Sequence, residues 1–312
     1  MKHFQKFKKY VIIGRNDILK NTERFIEYAD FAQEKPFSLR KNSSIGVGGE
    51  AAIAFIPQSV EELQRLVQKL AKDGLDYYVL GNLTNVLPPD HGTEKAIVLT
   101  KGLRAVSRTE KGVFVSAGVM SGALINVCKQ ARVSGAEFLH GVPCTLGGAL
   151  YMNAGAGGKY IHEIVESVLV LRQGEKRLLP VSECGYAYKK SVFMENGDII
   201  LGANLRLQQA TQTEIEERLQ YYAVRRKHLP KGKSMGCVFK NPSGEAAGEL
   251  IERSGLKGMR VGGAKIAEEH ANFVINDRGA TANDIRALIK LMKNAVSARY
   301  GIELEEEIRY LT

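Results

Sequence analysis

The sequence predicts a mixed fold of helices and short strands, α/β or α+β, and argues against a plain doubly wound parallel sheet. Three observations carry this. Helical periodicity and apolar strand-like runs occur in both halves of the chain. The strands are short and bounded by turn residues. They do not alternate steadily with helices, as a doubly wound sheet requires.

Taken in order, residues 1–35 are charged and weakly patterned, suiting one or two helices that cap the body. SVEELQRLVQKLAKDG (59–74) reads as a helix. Ser59 can cap it, Glu62 completes a capping box, Val60, Leu63, Leu66, Val67 and Leu70 form one apolar stripe, and Gly74 ends it. DYYVLG (76–81) reads as a buried strand running into the loop NLTNVLPPDHG; KAIVLT (95–100) and GVFVSAGV (112–119) are further strands. SGALINVCKQARVSG (121–135) is a helix with Gly135 as its stop. VESVLVLR (165–172) and DIILGANLRL (198–207) are strands on either side of a polar connection. TEIEERLQYYAVRRKH is a polar amphipathic helix, followed by a βα pattern: ANFVIND, then TANDIRALIKLMKNAVSARYG. Thr281 caps that last helix with Asp284 in the box position, and Leu288, Ile289, Met292 and Val296 face inward. The composition shift after 207 divides the chain into an extension (1–35), a first domain (36–207) and a second (208–312).

The chain has 312 residues, with 44 Lys+Arg against 34 Asp+Glu and a net charge of +10, which favours anionic partners. The basic residues are spread out apart from QKFKKY and RRKHLPKGK (225–233), and aromatics do not interleave with them, which argues against nucleic acid. No apolar run approaches the ~18–20 residues that span a membrane. Only residues 11–13 form an apolar run at the start, so no secretory signal is read. Cysteines 128, 144, 184 and 237 form no Cys-x-x-Cys pair and suit free thiols in a reducing cytoplasm. The six scattered histidines give no support for a metal site.

Four segments can carry chemistry. LGNLTNVLPPD leaves a strand through a loop that either presents N–H groups to an anion or is an ordinary turn. GVPCTLGGALYMNAGAGG (141–158) has no charged residue, and its glycines are spaced for a winding backbone, not a helix. It serves either as a neutral wall for a ligand carrying pyrophosphate or as a packing crossover, and fits neither the dinucleotide fingerprint nor a P-loop. In SMGCVFKNP, Cys237 is a nucleophile, a proton donor or a buried structural thiol. In GIELEEEIRYLT, three consecutive glutamates read as a solvated end, unless one is buried and serves as an acid or charge stabiliser.

Together and in this order, NSSIGVGGEA, LGNLTNVL, GVPCTLGGALYMNAGAGG, YKKS, GCVFKNP, GAKIAEEHANFVIN and LEEEIR resemble the UDP-N-acetylenolpyruvoylglucosamine reductase family, from about residue 42 to 309. The short connection after YKKS is similar to the type II branch. The resemblance implies an α+β architecture. A flavin domain of the vanillyl-alcohol-oxidase (PCMH) type is followed by a smaller α/β substrate domain, with the tail returning to the active site. It implies FAD, held without a covalent anchor, and NADPH; the substrate is an enolpyruvyl ether of a UDP-sugar, reduced in peptidoglycan synthesis. A cytoplasmic, monomeric enzyme without nucleic acid, membrane or metal is the expectation.

Carried over residue by residue, the resemblance puts the family's proton-donating serine on Cys237, its catalytic arginine on Lys189 and its catalytic glutamate on Glu307. It implies cofactor contacts at Gly81, Asn82, Leu83, Thr84, Asn85, Val86 and Gly118. Further cofactor contacts are implied at Gly141, Val142, Pro143, Cys144, Thr145, Gly147, Gly148, Asn153, Ala154 and Gly155. It implies substrate contacts at Tyr188, Arg226, His228, Lys240 and Asn241, with Arg226 and His228 toward the UDP phosphates. Four positions depart from the family pattern. A thiol is a far stronger acid than an alcohol, so Cys237 is a credible donor. Lys189 keeps the charge but loses the bidentate fork. Leu83 and Cys144 replace glycines and add a Cβ where backbone would lie against the cofactor. The alternative is a flavin-binding homologue with weak or altered activity, or a non-catalytic flavin sensor.

Overall fold

A computed structural model describes residues 23–109 and 112–311, organised around three sheets. The first has the order Gln33–Glu34, Ala54–Phe55, Ala96–Leu99, Tyr77–Leu80, its last three strands parallel. Helix Val60–Lys72 supplies the crossover. The Ser59 hydroxyl accepts from the Glu62 N–H, and the stripe Leu63, Leu66, Val67 and Leu70 is buried. The Glu62 carboxylate reaches the Gln58 N–H rather than that of Ser59, so the expected box closes one residue early. Part of the expected extension is core. Phe25 and Tyr28, in the short helix Glu23–Tyr28, are each 1% exposed and pack on Phe55, while Gln33–Glu34 adds a strand. The remainder, 1–22, lies outside the described residues.

The second sheet is antiparallel: Glu175–Pro180, Val165–Arg172, Ile199–Leu205, Gly112–Ser116, Val106–Thr109. Its edge strand Glu175–Pro180 occupies what reads in sequence as a polar connection; Gln173 and Gly174, both at positive φ, turn the hairpin. Helices Ser121–Ala131 and Leu146–Met152 cover it. The first ends at Arg132, left-handed, earlier than Gly135, because Val133–Ser134 pairs with Gln208–Gln209. The second overturns the expectation of a non-helical glycine tract: Gly147 and Gly148 are helical, with Thr145 as cap and Asn153 as the left-handed stop.

Helix Gln212–Arg226 packs Leu219 and Tyr222 on this same cluster, and Lys129 pairs with Glu216. The packing therefore changes after this helix, not at 208. Beyond it, Ser234–Cys237, Phe273–Asn276, Ala264–Ile266 and Arg260–Val261 form the third sheet. Helix Ala282–Tyr300 covers it through Ile285, Leu288, Ile289, Met292 and Val296, and its capping box at Thr281 and Asp284 is formed. Asp90 also accepts from the N–H groups of Ala282 and Asn283, locking the loop after Leu87 onto this helix. Finally the chain returns: Arg309–Tyr310 runs parallel to Val86–Leu87. Among the described residues no helix is long and apolar enough to cross a membrane.

Candidate active site

Where the three sheets meet, a cleft of about 1500 Å³ opens. That exceeds the ~300–1000 Å³ of a pocket for one drug-sized ligand, so two ligands can meet in it. One wall is loop 81–86, another is the segment 141–148, and a third combines Met235, Cys237, Asn241 and Glu307.

The first two walls are tied together. Asn82 Nδ2 donates to the Pro143 carbonyl at 3.1 Å, and Gly81 lies so close to Thr145 that a Cβ would fall 2.3 Å from its Oγ1. The glycines thus divide by role. Gly81, Gly118, Gly147 and Gly155 admit protein neighbours: Thr145, the Thr100 carbonyl, Ala117, and Lys159 with Tyr160. Gly148 is different, because a Cβ there would meet only Thr145 Oγ1, at 3.4 Å, and otherwise enter the cleft.

The main-chain N–H groups of 82–85 find no acceptor among the described residues. Those of Val142, Cys144, Gly147 and Gly148 are bonded within the protein. The first loop therefore offers the longest run of free donors for a pyrophosphate, and in the segment 141–148 only the N–H groups of Gly141 and Thr145 are without an acceptor among the described residues. Leu83, at φ 46, gives the loop the left-handed turn that converges successive N–H groups on an anion. Its side chain packs among Phe37, Leu39, Ile97, Leu99 and Leu311 and is 5% exposed, although Leu83 remains one of the residues lining the cleft. Cys144 also lines the cleft; burial pushes its thiol up to about 11.

Three residues from distant segments converge at the inner end. Lys189 Nζ lies 2.7 Å from Glu307 Oε1, both side chains being mostly buried. Burial alone would lower the Lys189 ammonium, but the Glu307 carboxylate outweighs it and holds the pKa above the ordinary lysine value. Cys237 feels both groups: burial first, then the Glu307 charge, push its thiol up to about 12, against the pull of Lys189 and Arg226. The Glu307 N–H donates to the Val238 carbonyl at 2.8 Å, and Asn85 Nδ2 donates to the Glu307 carbonyl at 3.1 Å. The tail is thereby pinned between the first loop and the strand carrying Cys237. The three glutamates each take a different lysine: Glu305 with Lys240, Glu306 with Lys293, Glu307 with Lys189.

Of the remaining expected residues, Asn82, Thr84, Asn85, Val86, Gly141, Val142, Pro143, Thr145, Ala154, Gly155, Arg226 and Asn241 line the cleft. Gly118, Asn153, Tyr188, His228 and Lys240 do not. Gly118 is packed against the Thr100 carbonyl; His228 is exposed; Lys240 is engaged by Glu305 on the outer side of the tail. Tyr188 stands outside, its hydroxyl accepting from the Asn241 N–H at 3.2 Å. Arg226 packs against Gly141, with no carboxylate partner among the described residues. Sequence reasoning missed Tyr77–Leu80, a cleft wall rather than a buried strand, and also Tyr151, Arg225 and Arg309. Arg225 adjoins Arg226 and Arg309 follows Glu307 by two residues, so nearness in sequence was the available signal.

Residues 227–311 match the description "UDP-N-acetylenolpyruvoylglucosamine reductase, C-terminal domain", and residues 51–177 match "FAD binding domain". The chain is 37% identical over 279 residues to the UDP-N-acetylenolpyruvoylglucosamine reductase of Pelobacter propionicus, covering 88% of this chain and 94% of that one. It is 34% identical over 303 residues to that of Clostridioides difficile, covering 96% and 99%. The crystal structure of the Thermus caldophilus enzyme superposes with a TM-score of 0.78 at 34% identity, over 90% of this chain and 99% of that chain. The fold is therefore α+β, with a flavin domain of the vanillyl-alcohol-oxidase type. The converging loops, the returning tail and these matches over most of its length show that the chain belongs to the UDP-N-acetylenolpyruvoylglucosamine reductase family.

Proposed function

We propose that this protein reduces UDP-N-acetylglucosamine enolpyruvate to UDP-N-acetylmuramate for peptidoglycan synthesis, using FAD and NADPH, as a cytoplasmic monomer acting on small molecules. The observation that carries this is the meeting of Cys237, Lys189 and Glu307 in one cleft beside a loop whose N–H groups at 82–85 find no acceptor among the described residues. The residues fit the cofactor: the N–H groups of 82–85 suit its pyrophosphate, and the space beside Gly148 accepts a ligand where a side chain would intrude. Held there, FAD would supply the hydride chemistry that links NADPH to the enolpyruvyl C3.

The chain's own groups handle charge and proton. Lys189 offers a single positive charge to the oxyanion that develops on the substrate carboxylate side. Glu307 holds Lys189 in place through their ion pair. The Cys237 thiol, protonated at neutral pH because burial disfavours the thiolate, delivers a proton to C2. Arg226, half-buried in the cleft with no carboxylate partner among the described residues, meets the substrate's diphosphate.

The test is spectroscopic. The purified protein should be yellow, NADPH should bleach it, and the enolpyruvyl sugar nucleotide should restore the oxidised spectrum. Bleaching without restoration would refute the substrate assignment, and a colourless protein that takes up no FAD would refute the flavin assignment.

A further inference from the structure

Lys189 sits in an unusual backbone position. The Lys190 N–H donates to the Ala187 carbonyl at 3.1 Å, closing a turn in which Lys189 has φ 53. That region favours glycine or asparagine, and lysine there is strained unless its surroundings hold it. The ion pair with Glu307 holds the far end of the side chain. Something else must hold the turn.

That group is Asn153. It is 1% exposed, and its Nδ2 donates to the Ala187 carbonyl at 2.8 Å, the same oxygen that closes the Lys189 turn. The Asn153 Oδ1 accepts from His162 Nδ1 at 2.9 Å. With Oδ1 turned to His162, the amide N–H₂ is committed to the turn, and His162 carries a proton on Nδ1. His162 is itself fixed by stacking on Tyr186, ring centroids 5.8 Å apart. Asn153 also ends helix Leu146–Met152, whose first turn forms a cleft wall. One amide thus joins the wall of the cleft to the turn that presents the active-site cation. The geometry points to Asn153, oriented by His162, as a positioning residue for Lys189, not a cofactor contact.

This inference rests on the reductase reading, so its test has one arm that does not. Asn153→Gly keeps the left-handed backbone and removes only the amide. His162→Phe keeps the stack on Tyr186 and removes the shorter, side-chain donor, leaving the backbone N–H of residue 162 at 3.4 Å from Asn153 Oδ1. In both, hydrogen exchange at the Lys190 amide of the flavin-free protein should accelerate about tenfold or more, as expected where a local closing interaction is lost. In the flavin-loaded protein, reoxidation by the enolpyruvyl sugar nucleotide should slow by about 10- to 100-fold, while reduction by NADPH stays within about twofold. In a Lys189→Met background, Asn153→Gly should cost no more than about twofold further, because the two act through one contact. Unchanged Lys190 exchange, equal losses in both half-reactions, or a full additive loss on Lys189→Met would each overturn the assignment. Failure of the unaltered protein to be reoxidised would overturn the reductase reading instead, and the exchange measurement would still decide the role of Asn153.

Discussion

Lys189 and Glu307 form an ion pair of 2.7 Å at the inner end of the cleft, although one lies in a turn of the first body and the other in the C-terminal tail. Glu307 is thus both a wall of the site and the group that keeps the ammonium charged in place. Glu307→Gln leaves a largely buried cation without its partner. Substrate-driven flavin reoxidation should fall by about 100-fold or more, with flavin reduction by NADPH unchanged. Stability should fall by about 2 kcal/mol, a buried-pair loss discounted for the residual exposure of both groups. Urea denaturation and stopped-flow absorbance check the two halves; equal slowing of both half-reactions would contradict it.

Cys237→Ala should abolish reoxidation and spare reduction, whereas Cys237→Ser should retain measurable turnover because it keeps a proton on the same atom position. Reoxidation by unaltered protein should not decline between pH 7 and 10 through this residue, since the thiol is pushed up to about 12. A basic limb below pH 10 that vanishes in Cys237→Ser would contradict this.

All four thiols are raised above the ordinary value of 9.0: Cys128 and Cys237 to about 12, Cys144 and Cys184 to about 11, in each case chiefly by burial. The folded state therefore favours the protonated thiol. This stabilisation is fully present below about pH 9 and is lost as pH rises toward 11 and 12. Denaturation midpoints should fall steeply above pH 9. At pH 8, a thiol-directed reagent should label the folded protein slowly and the urea-unfolded protein at all four cysteines.

Gly148→Val should leave the fold intact but weaken flavin binding by about tenfold or more, since the added side chain enters the cleft. By contrast, Gly81→Ala forces its Cβ against Thr145 Oγ1 and should cost about 1–3 kcal/mol of stability. Flavin titration and thermal melts separate the two. The division of glycine roles fails if Gly148→Val binds flavin normally.

Leu83 offers a reversal of the usual order. Both Leu83→Ala and Leu83→Gly lose the inward packing, but only glycine takes φ 46 without strain. The glycine variant should be more stable than the alanine variant by about 1 kcal/mol, read by urea denaturation. Equal midpoints would remove the strain from the account.

Helices Val60–Lys72 and Ala282–Tyr300 were legible in sequence because cap, apolar stripe and stop all lie within one short window. The order of motifs was equally legible, and it marked the family and named Cys237, Lys189 and Glu307. Tertiary structure alone decided what those residues touch. Glu307 faces Lys189 rather than solvent because the tail pairs with Val86–Leu87 and is gripped by Asn85. Leu146–Met152 is a helix despite its glycines because Thr145 caps it and the sheet beneath covers it. Whether a glycine admits a protein neighbour or a ligand, and whether Asn153 faces the cleft or the Lys189 turn, depends on atoms brought together from distant parts of the chain. Periodicity reports only local geometry, so these contacts leave no local signal.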